Sequence, residues 1–188
     1  MILTSEVDLK STVLNSGRFC KPVRLCDYGQ LLGAPTRSES PGPPPPYGHR
    51  NNVIHFYDHL GLLLREHHAT CLIDGIEFLL EPTQTYFPTT SPYSGVLRVC
   101  GVSVDRSTCI DDLVQQCDVQ FKPHLGRAWY ADGESLSIQL ETYLPAGPRS
   151  RNVKHIACVS VDFRGPTDDR PLMSLAEFSK SIAESSAN

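Results

Sequence analysis

The sequence lacks the signatures from which a catalytic mechanism is usually read. It holds no G-x-S-x-G, G-x-x-x-x-G-K-[ST], H-E-x-x-H or G-x-G-x-x-G, so no nucleophile elbow, phosphate cradle or zinc helix can be built from it. No apolar run approaches the roughly 20 residues that span a bilayer; stretches such as Leu60–Leu64 are far shorter. Basic excess is missing too. Seventeen Lys and Arg against 21 Asp and Glu give a net charge of −4, which argues against non-specific nucleic-acid binding. The opening "MILTSEVDLK" has no basic stretch leading into an apolar one, so no export signal is read and a cytoplasmic location is expected. The seven cysteines (Cys20, Cys26, Cys71, Cys100, Cys109, Cys117 and Cys158) form no C-x-x-C pair, and most sit in apolar patterns such as "VLRVCGV". They read as small core residues of a reducing compartment, with neither a disulfide framework nor a metal site.

What is present is alternation and punctuation. Residues 18–36 read as a short strand and then a helix: Leu25, Tyr28, Leu31 and Leu32 recur at helical spacing, and Gly33 and Pro35 stop it. The segment "SESPGPPPPYGHRNN", residues 38–52, fits neither a ladder nor a helix interior and is a loop. A hairpin follows in "NVIHFYDHLGLLLREHH", then a strand in residues 70–82. The second half runs in the same order. Residues 94–104 read as one strand, and residues 107–118 as a helix with Thr108 and Asp111 at capping-box spacing and Ile110, Leu113, Val114 and Cys117 on one face. "RAWYADGESLSIQLETY" reads as a hairpin turning at Asp132-Gly133, and residues 152–163 as the closing strand.

The fold class expected is therefore α+β with mainly antiparallel sheet. Residues 1–17 are an N-terminal segment, 18–82 and 94–163 are two repeated strand-helix-hairpin-strand halves, and 164–188 are a loop and short helix with Ser174 and Glu177 as its capping box.

The richest candidate cluster is "HFYDH". A metal site needs three or four convergent ligands, and His55, Asp58 and His59 supply no such set from strand geometry. Asp58 and Gly61 instead suit the first and fourth positions of a type I turn. His67 and His68 are adjacent on a strand and point to opposite faces. Cys71 lies near them in sequence but within a half-buried strand, so an enzyme using His55, Asp58 or Cys71 is the weakest of the readings. Trp129 and Tyr130 are followed at once by Asp132 and Glu134, a poor phosphate-binding surface. The acidic groups Asp111, Asp112 and Asp118, and Asp132 with Glu134, suit a basic protein partner better.

Taken in order, "LLGAPTR", a variable loop, "VIHFYDHLGLLL", "YSGVLRVCGV" and "HIACVSVDF" resemble a group of small bacterial proteins encoded beside secreted polymorphic toxins, including Rhs and type VI secretion effectors. The likeness spans about residues 18–163; the proline-rich insert and the C-terminal segment lie outside it. The resemblance implies a cytosolic immunity protein that binds and neutralises one cognate toxin, without catalytic residues and without a cofactor. On this reading the partner-binding residues are Asp58 and His59 at one hairpin tip and Asp132 and Glu134 at the other. An effector chaperone or adaptor is the alternative. No nucleic-acid or membrane partner is expected, and oligomeric state stays open.

Overall fold

The computed structural model describes residues 3–39, 52–67, 70–85, 87–124, 127–144 and 153–164. Their backbone hydrogen bonds sort the strands into two sheets. The smaller is made by β1 (Thr4–Val7), β2 (Thr12–Leu14), β3 (Gly17–Phe19), β8 (Val96–Val99) and β9 (Val102–Val104), in the order β3-β2-β1-β8-β9. The larger holds β4 (Arg37–Glu39), β5 (Asn52–Tyr57), β6 (Leu62–His67), β7 (Leu72–Leu79), β10 (Lys122–His124), β11 (Ala128–Asp132), β12 (Leu136–Tyr143) and β13 (His155–Phe163). Its order is β10-β11-β12-β13-β7-β6-β5-β4. Every pairing is antiparallel except β1 with β8, which is parallel. With two helices among the described residues, α1 (Leu25–Leu32) and α2 (Ile110–Gln116), the class is α+β, as the sequence implies.

Both helices form where apolar spacing places them. In α1 the Asp27 carboxylate accepts the Arg24 N–H at 3.1 Å, and Gly33, at φ +78°, ends the helix in a conformation costly to other residues. Tyr28 and Leu32 are its buried face, with the Tyr28 ring stacked on Phe19 at 4.2 Å. In α2, Ile110 and Leu113 are buried and Val114 and Cys117 pack beside them. The capping box expected of Thr108 and Asp111 does not form. Asp105 takes the hydroxyls of Ser107 and Thr108 instead, so the turn before the helix uses the threonine first.

Residues 94–104 are not one strand. Cys100 (φ +48°) and Gly101 (φ +82°) fold them into a two-residue hairpin, and Val99 pairs with Val102. Positive φ at both turn residues matches the twist of the flanking strands, and the preceding apolar run hid it. The second hairpin differs as well. Asp132 pairs with Ser137 and the Gly133 N–H donates to the Leu136 carbonyl at 2.9 Å, so the tight turn is Glu134-Ser135 rather than Asp132-Gly133. Gly133 is required for another reason: a Cβ there would lie 2.3 Å from the Leu9 carbonyl.

One apolar cluster joins both sheets and both helices, through residues such as Val7, Leu14, Tyr28, Leu64, Ile76, Leu113, Ile138 and Val161. Each such buried side chain contributes about 1.5–3 kcal/mol. The opposite face of the large sheet carries a smaller cluster of Ile54, Phe56, Leu63, Leu79 and Cys158, with Phe87 against it. The loop residues 40–51 and the helix read at residues 174–182 lie outside the described residues.

The β5–β6 turn rests on a backbone contact. The Leu60 N–H donates to the Tyr57 carbonyl, placing Asp58 and His59 at the centre of the turn, and Gly61 follows at φ +65°. Tyr57 pairs with Leu62, so residues 58–61 make a four-residue hairpin loop in which a left-handed glycine follows the turn, and the turn starts one position earlier than the sequence spacing implied. A Cβ on Gly61 would stand 2.2 Å from the Tyr93 nitrogen, whereas one on Gly101 would meet open space. Gly61→Ala should therefore cost at least about 3 kcal/mol, strain plus collision, and Gly101→Ala only about 1 kcal/mol of backbone strain. Urea denaturation of the two variants checks the difference.

Candidate functional site

The large sheet places the sequence-predicted residues at two corners. On the face that carries Phe56, a line across the strands starts at the β4 edge. Arg37 pairs with Phe56, Phe56 with Leu63, and Leu63 with Glu77. Glu77 pairs with Ser160 at the centre, and the line continues through Gln139 and Tyr130 to Lys122 on the β10 edge. Two residues beyond Phe56 and Tyr130 along their strands stand Asp58 and Asp132. Because β5 and β11 run in opposite directions, the two aspartates lie at opposite ends of the sheet.

The Asp58 corner is filled. Arg37 Nε donates to Asp58 Oδ2 at 3.0 Å, and its guanidinium lies over the Phe56 ring, 3.4 Å from the centroid. Arg37 Nη2 also donates to the Pro88 carbonyl at 3.1 Å, and Nη1 is bonded to Glu39. Thr90 closes the site from the other side: its N–H donates to Asp58 Oδ1 and its hydroxyl to the Asp58 carbonyl, both at 3.3 Å. The Asp58 N–H in turn donates to Thr36 Oγ1 at 3.2 Å. Asp58 is left 6% exposed and spends its acceptors inside the chain. His59 alone stands exposed at this tip.

The Asp132 corner is open. Asp132 has a side chain 47% exposed, bonded to the Tyr130 hydroxyl and to Arg164. The Tyr130 hydroxyl, Arg164 and the nearby Lys122 charge together hold the Asp132 carboxyl below its ordinary range. Glu134 is exposed at the turn itself. Beside it runs a cleft of about 390 Å³ lined by Leu9, Asp118, Val119, Lys122, Tyr130 and Asp132 among others. Sequence reasoning found Asp132, Glu134, Asp118 and Tyr130 but missed Lys122 and Leu9, which reach the cleft through sheet pairing and through the β1–β2 turn.

His55, Asp58 and Cys71 are not brought together. His55 is buried, its Nδ1 2.8 Å from Ser38 Oγ and its Nε2 3.2 Å from Glu66 Oε2. It sits on the strand face opposite Asp58, and Cys71 (φ +52°) lies exposed in the turn at the far end of the β6–β7 hairpin. Among the described residues, no group of three or more His, Cys, Asp or Glu side chains could hold a metal ion, and no helix is long and apolar enough to cross a membrane.

At the sheet centre Glu77 stands between Leu63 and Ser160, two residues from Leu79. Burial pushes its carboxyl up to about 7; Glu141 and Asp162 add to the rise, and Arg65 opposes it. Arg65 is itself held by Asp74 at 3.0 Å and by Asp162. No protein-family model, no curated protein and no solved structure matches this chain.

Two predictions come from these contrasts. Asp58→Ala leaves the Arg37 guanidinium and the Thr90 N–H without an acceptor and should cost about 2–3 kcal/mol, whereas Asp132→Ala, at an exposed pair, should stay within about 0.5 kcal/mol. Equilibrium denaturation distinguishes them. The Glu77 pKa is higher folded than unfolded, so its ionisation opposes folding: the protein loses stability as pH rises from about 4.5 through about 7. Glu77→Gln should remove that slope and raise stability at pH 8 by on the order of 2 kcal/mol, read from melts across pH 4.5–8.

Proposed function

We propose that this chain is an immunity-type protein that works in the cytoplasm by binding and blocking a cognate secreted bacterial toxin, with no cofactor and no chemistry of its own. The observation that carries the reading is the open Asp132 corner: the exposed Asp132 and Asp118 line a cleft that also holds Tyr130, an aromatic of the kind that anchors interfaces, and the exposed Glu134 lies two residues from Asp132 at the turn. Such a surface suits a basic, cleft-bearing partner through complementary potential. The resemblance of "VIHFYDHLGLLL" and its neighbouring segments to toxin-associated immunity proteins points the same way. His59 supplies a second, smaller contact at the opposite tip.

The proposal extends to the scaffold as two copies of one unit. Support comes from the strand order, in which β4-β5-β6-β7 and β10-β11-β12-β13 read inward from the two edges to meet at the middle. It comes also from the irregularities: one register shift falls between Arg65 and Glu66 against β7, the other between Glu141 and Thr142 against β13. A duplicated unit gives a partner two related corners, of which the Asp132 corner is the more exposed among the described residues.

The gene encoded immediately upstream supplies the test. Its product, expressed alone, should arrest growth. Co-expression of this chain should rescue growth, and the two proteins should co-elute on gel filtration. Asp132→Lys together with Glu134→Lys should weaken the complex at least about tenfold, roughly 1.4 kcal/mol, without changing the melting profile of the free protein by more than a few degrees. Absence of both rescue and complex would sink the reading. Rescue without a complex would point to an enzyme, to be pursued by alanine substitution at His55, Asp58 and Cys71.

A further inference from the structure

The two corners of the large sheet carry the same positional framework, yet among the described residues a stretch of the chain's own backbone fills only the Asp58 corner; Asp132 is bonded to the side chains of Tyr130 and Arg164. Lys122 takes the edge-strand place that Arg37 holds, Tyr130 the place of Phe56, and Asp132 the place of Asp58. The equivalence is positional. All four ring and edge residues lie on the one line across the sheet, and each aspartate lies two residues further along its strand. At the Asp58 corner the occupant is a loop stretch of this chain, residues 87–90. Phe87 meets the Phe56 ring edge-on at 6.4 Å between centroids, Pro88 offers its carbonyl to the edge-strand arginine, and Thr90 gives an N–H and a hydroxyl to Asp58. At the Asp132 corner the corresponding space is the 390 Å³ cleft, floored by Val119 and Leu9 and bordered by the Lys122 ammonium and the Asp132 carboxylate.

We propose that the cleft between Lys122 and Asp132 binds a peptide segment of the partner protein, with an aromatic residue set on Tyr130, a carbonyl taken by Lys122, and, three positions after the aromatic, a hydroxyl residue whose backbone N–H donates to the Asp132 carboxylate and whose hydroxyl donates to the Asp132 carbonyl. The occupied corner shows what this framework recognises: the pattern aromatic-proline-x-threonine, in which a backbone N–H meets the carboxylate, a backbone carbonyl meets the edge-strand cation, and one hydroxyl side chain meets the backbone carbonyl of the aspartate. Exchange of arginine for lysine fits an intermolecular role. Arg37 makes bonds to Asp58, Glu39 and Pro88 at once and locks its segment, whereas an ammonium offers a less directional hold that a dissociable ligand tolerates. The inference rests on the partner-binding reading only for which protein carries the segment; the recognition chemistry stands on the two corners themselves.

The probe is the capped peptide Thr-Tyr-Phe-Pro-Thr-Thr-Ser-Pro-Tyr, the chain's own residues 85–93, titrated into the ¹⁵N-labelled full chain. Amide signals of residues 118–122 and 130–135 should move saturably, with a dissociation constant on the order of 10⁻⁴ M, as suits a short flexible peptide. Asp132→Asn in the protein should weaken binding about tenfold by removing the charge of the acceptor that the peptide N–H meets, and the Thr90→Val change in the peptide, which removes a hydroxyl bond to a neutral carbonyl, should weaken it by about threefold. Absence of saturable shifts, shifts confined to other residues, or undiminished affinity in Asp132→Asn would overturn the proposal. So would contacts to the 130–135 amides, in the peptide-free protein, from residues 165–188 or from a second copy, because the cleft would already have its occupant. Peptide binding without rescue from a toxin would leave the cleft assigned and remove the immunity reading. Rescue with no peptide binding would do the reverse.

Discussion

Between Gly75–Leu79 and Cys158–Asp162 the middle strands of the large sheet exchange their backbone hydrogen bonds, and the remaining architecture hangs from that ladder. It joins four strands from residues 37–79 to four from residues 122–163 without any covalent link at that point. The connection beyond it is knotted down as well: the Ala157 carbonyl accepts both the Leu80 and the Glu81 N–H, at 2.8 and 2.9 Å. Side chains on one face of the two strands, Ile76, Phe78, Val159 and Val161, sit at the middle of the main core. The small sheet repeats the tie by a different geometry, since β1 lies parallel to β8. One apolar cluster draws on both groups of strands.

Much of this was legible in the residues because helices and hairpins carry their own period. The apolar spacing of Leu25–Leu32 and Ile110–Cys117 and the alternation of Leu136–Tyr143 became the elements they suggested. The small sheet was not legible. Its strands are three or four residues long, too short for alternation to show, and "VLRVCGVSV" hides a turn inside an apolar run. The edge strands β4 and β10 were invisible for the same reason, and β10 includes Pro123, a residue that local reading assigns to loops and that sheet edges tolerate.

The site was half legible. Asp132 and Glu134 are exposed as expected, because a turn at the end of a long hairpin has nowhere to bury them. Asp58 looks similar in sequence, an aspartate at the end of an aromatic-bearing strand segment, yet it is buried. Its partners are Arg37, 21 positions earlier across the proline-rich stretch, and Thr90, 32 positions later. Pairings at such separations leave no local trace, so two similar hairpin tips acquired opposite roles. One secures the chain and the other faces outward.

The parallel contact of β1 with β8 has a consequence for how the chain is made. Thr4 pairs with Val96 and Val7 with Val99, so β1 has no partner on that side until β8 has left the ribosome. During that interval β7 likewise presents an unpaired edge with Ile76 and Phe78 uncovered, the condition under which nascent sheets associate with the wrong neighbour. Closure of such distant contacts is slow, because loop entropy is spent before any of the pairing free energy returns. Maturation of this molecule is thus gated by the emergence of its second half, and the nascent first half, rather than the finished protein, is the species that needs shielding.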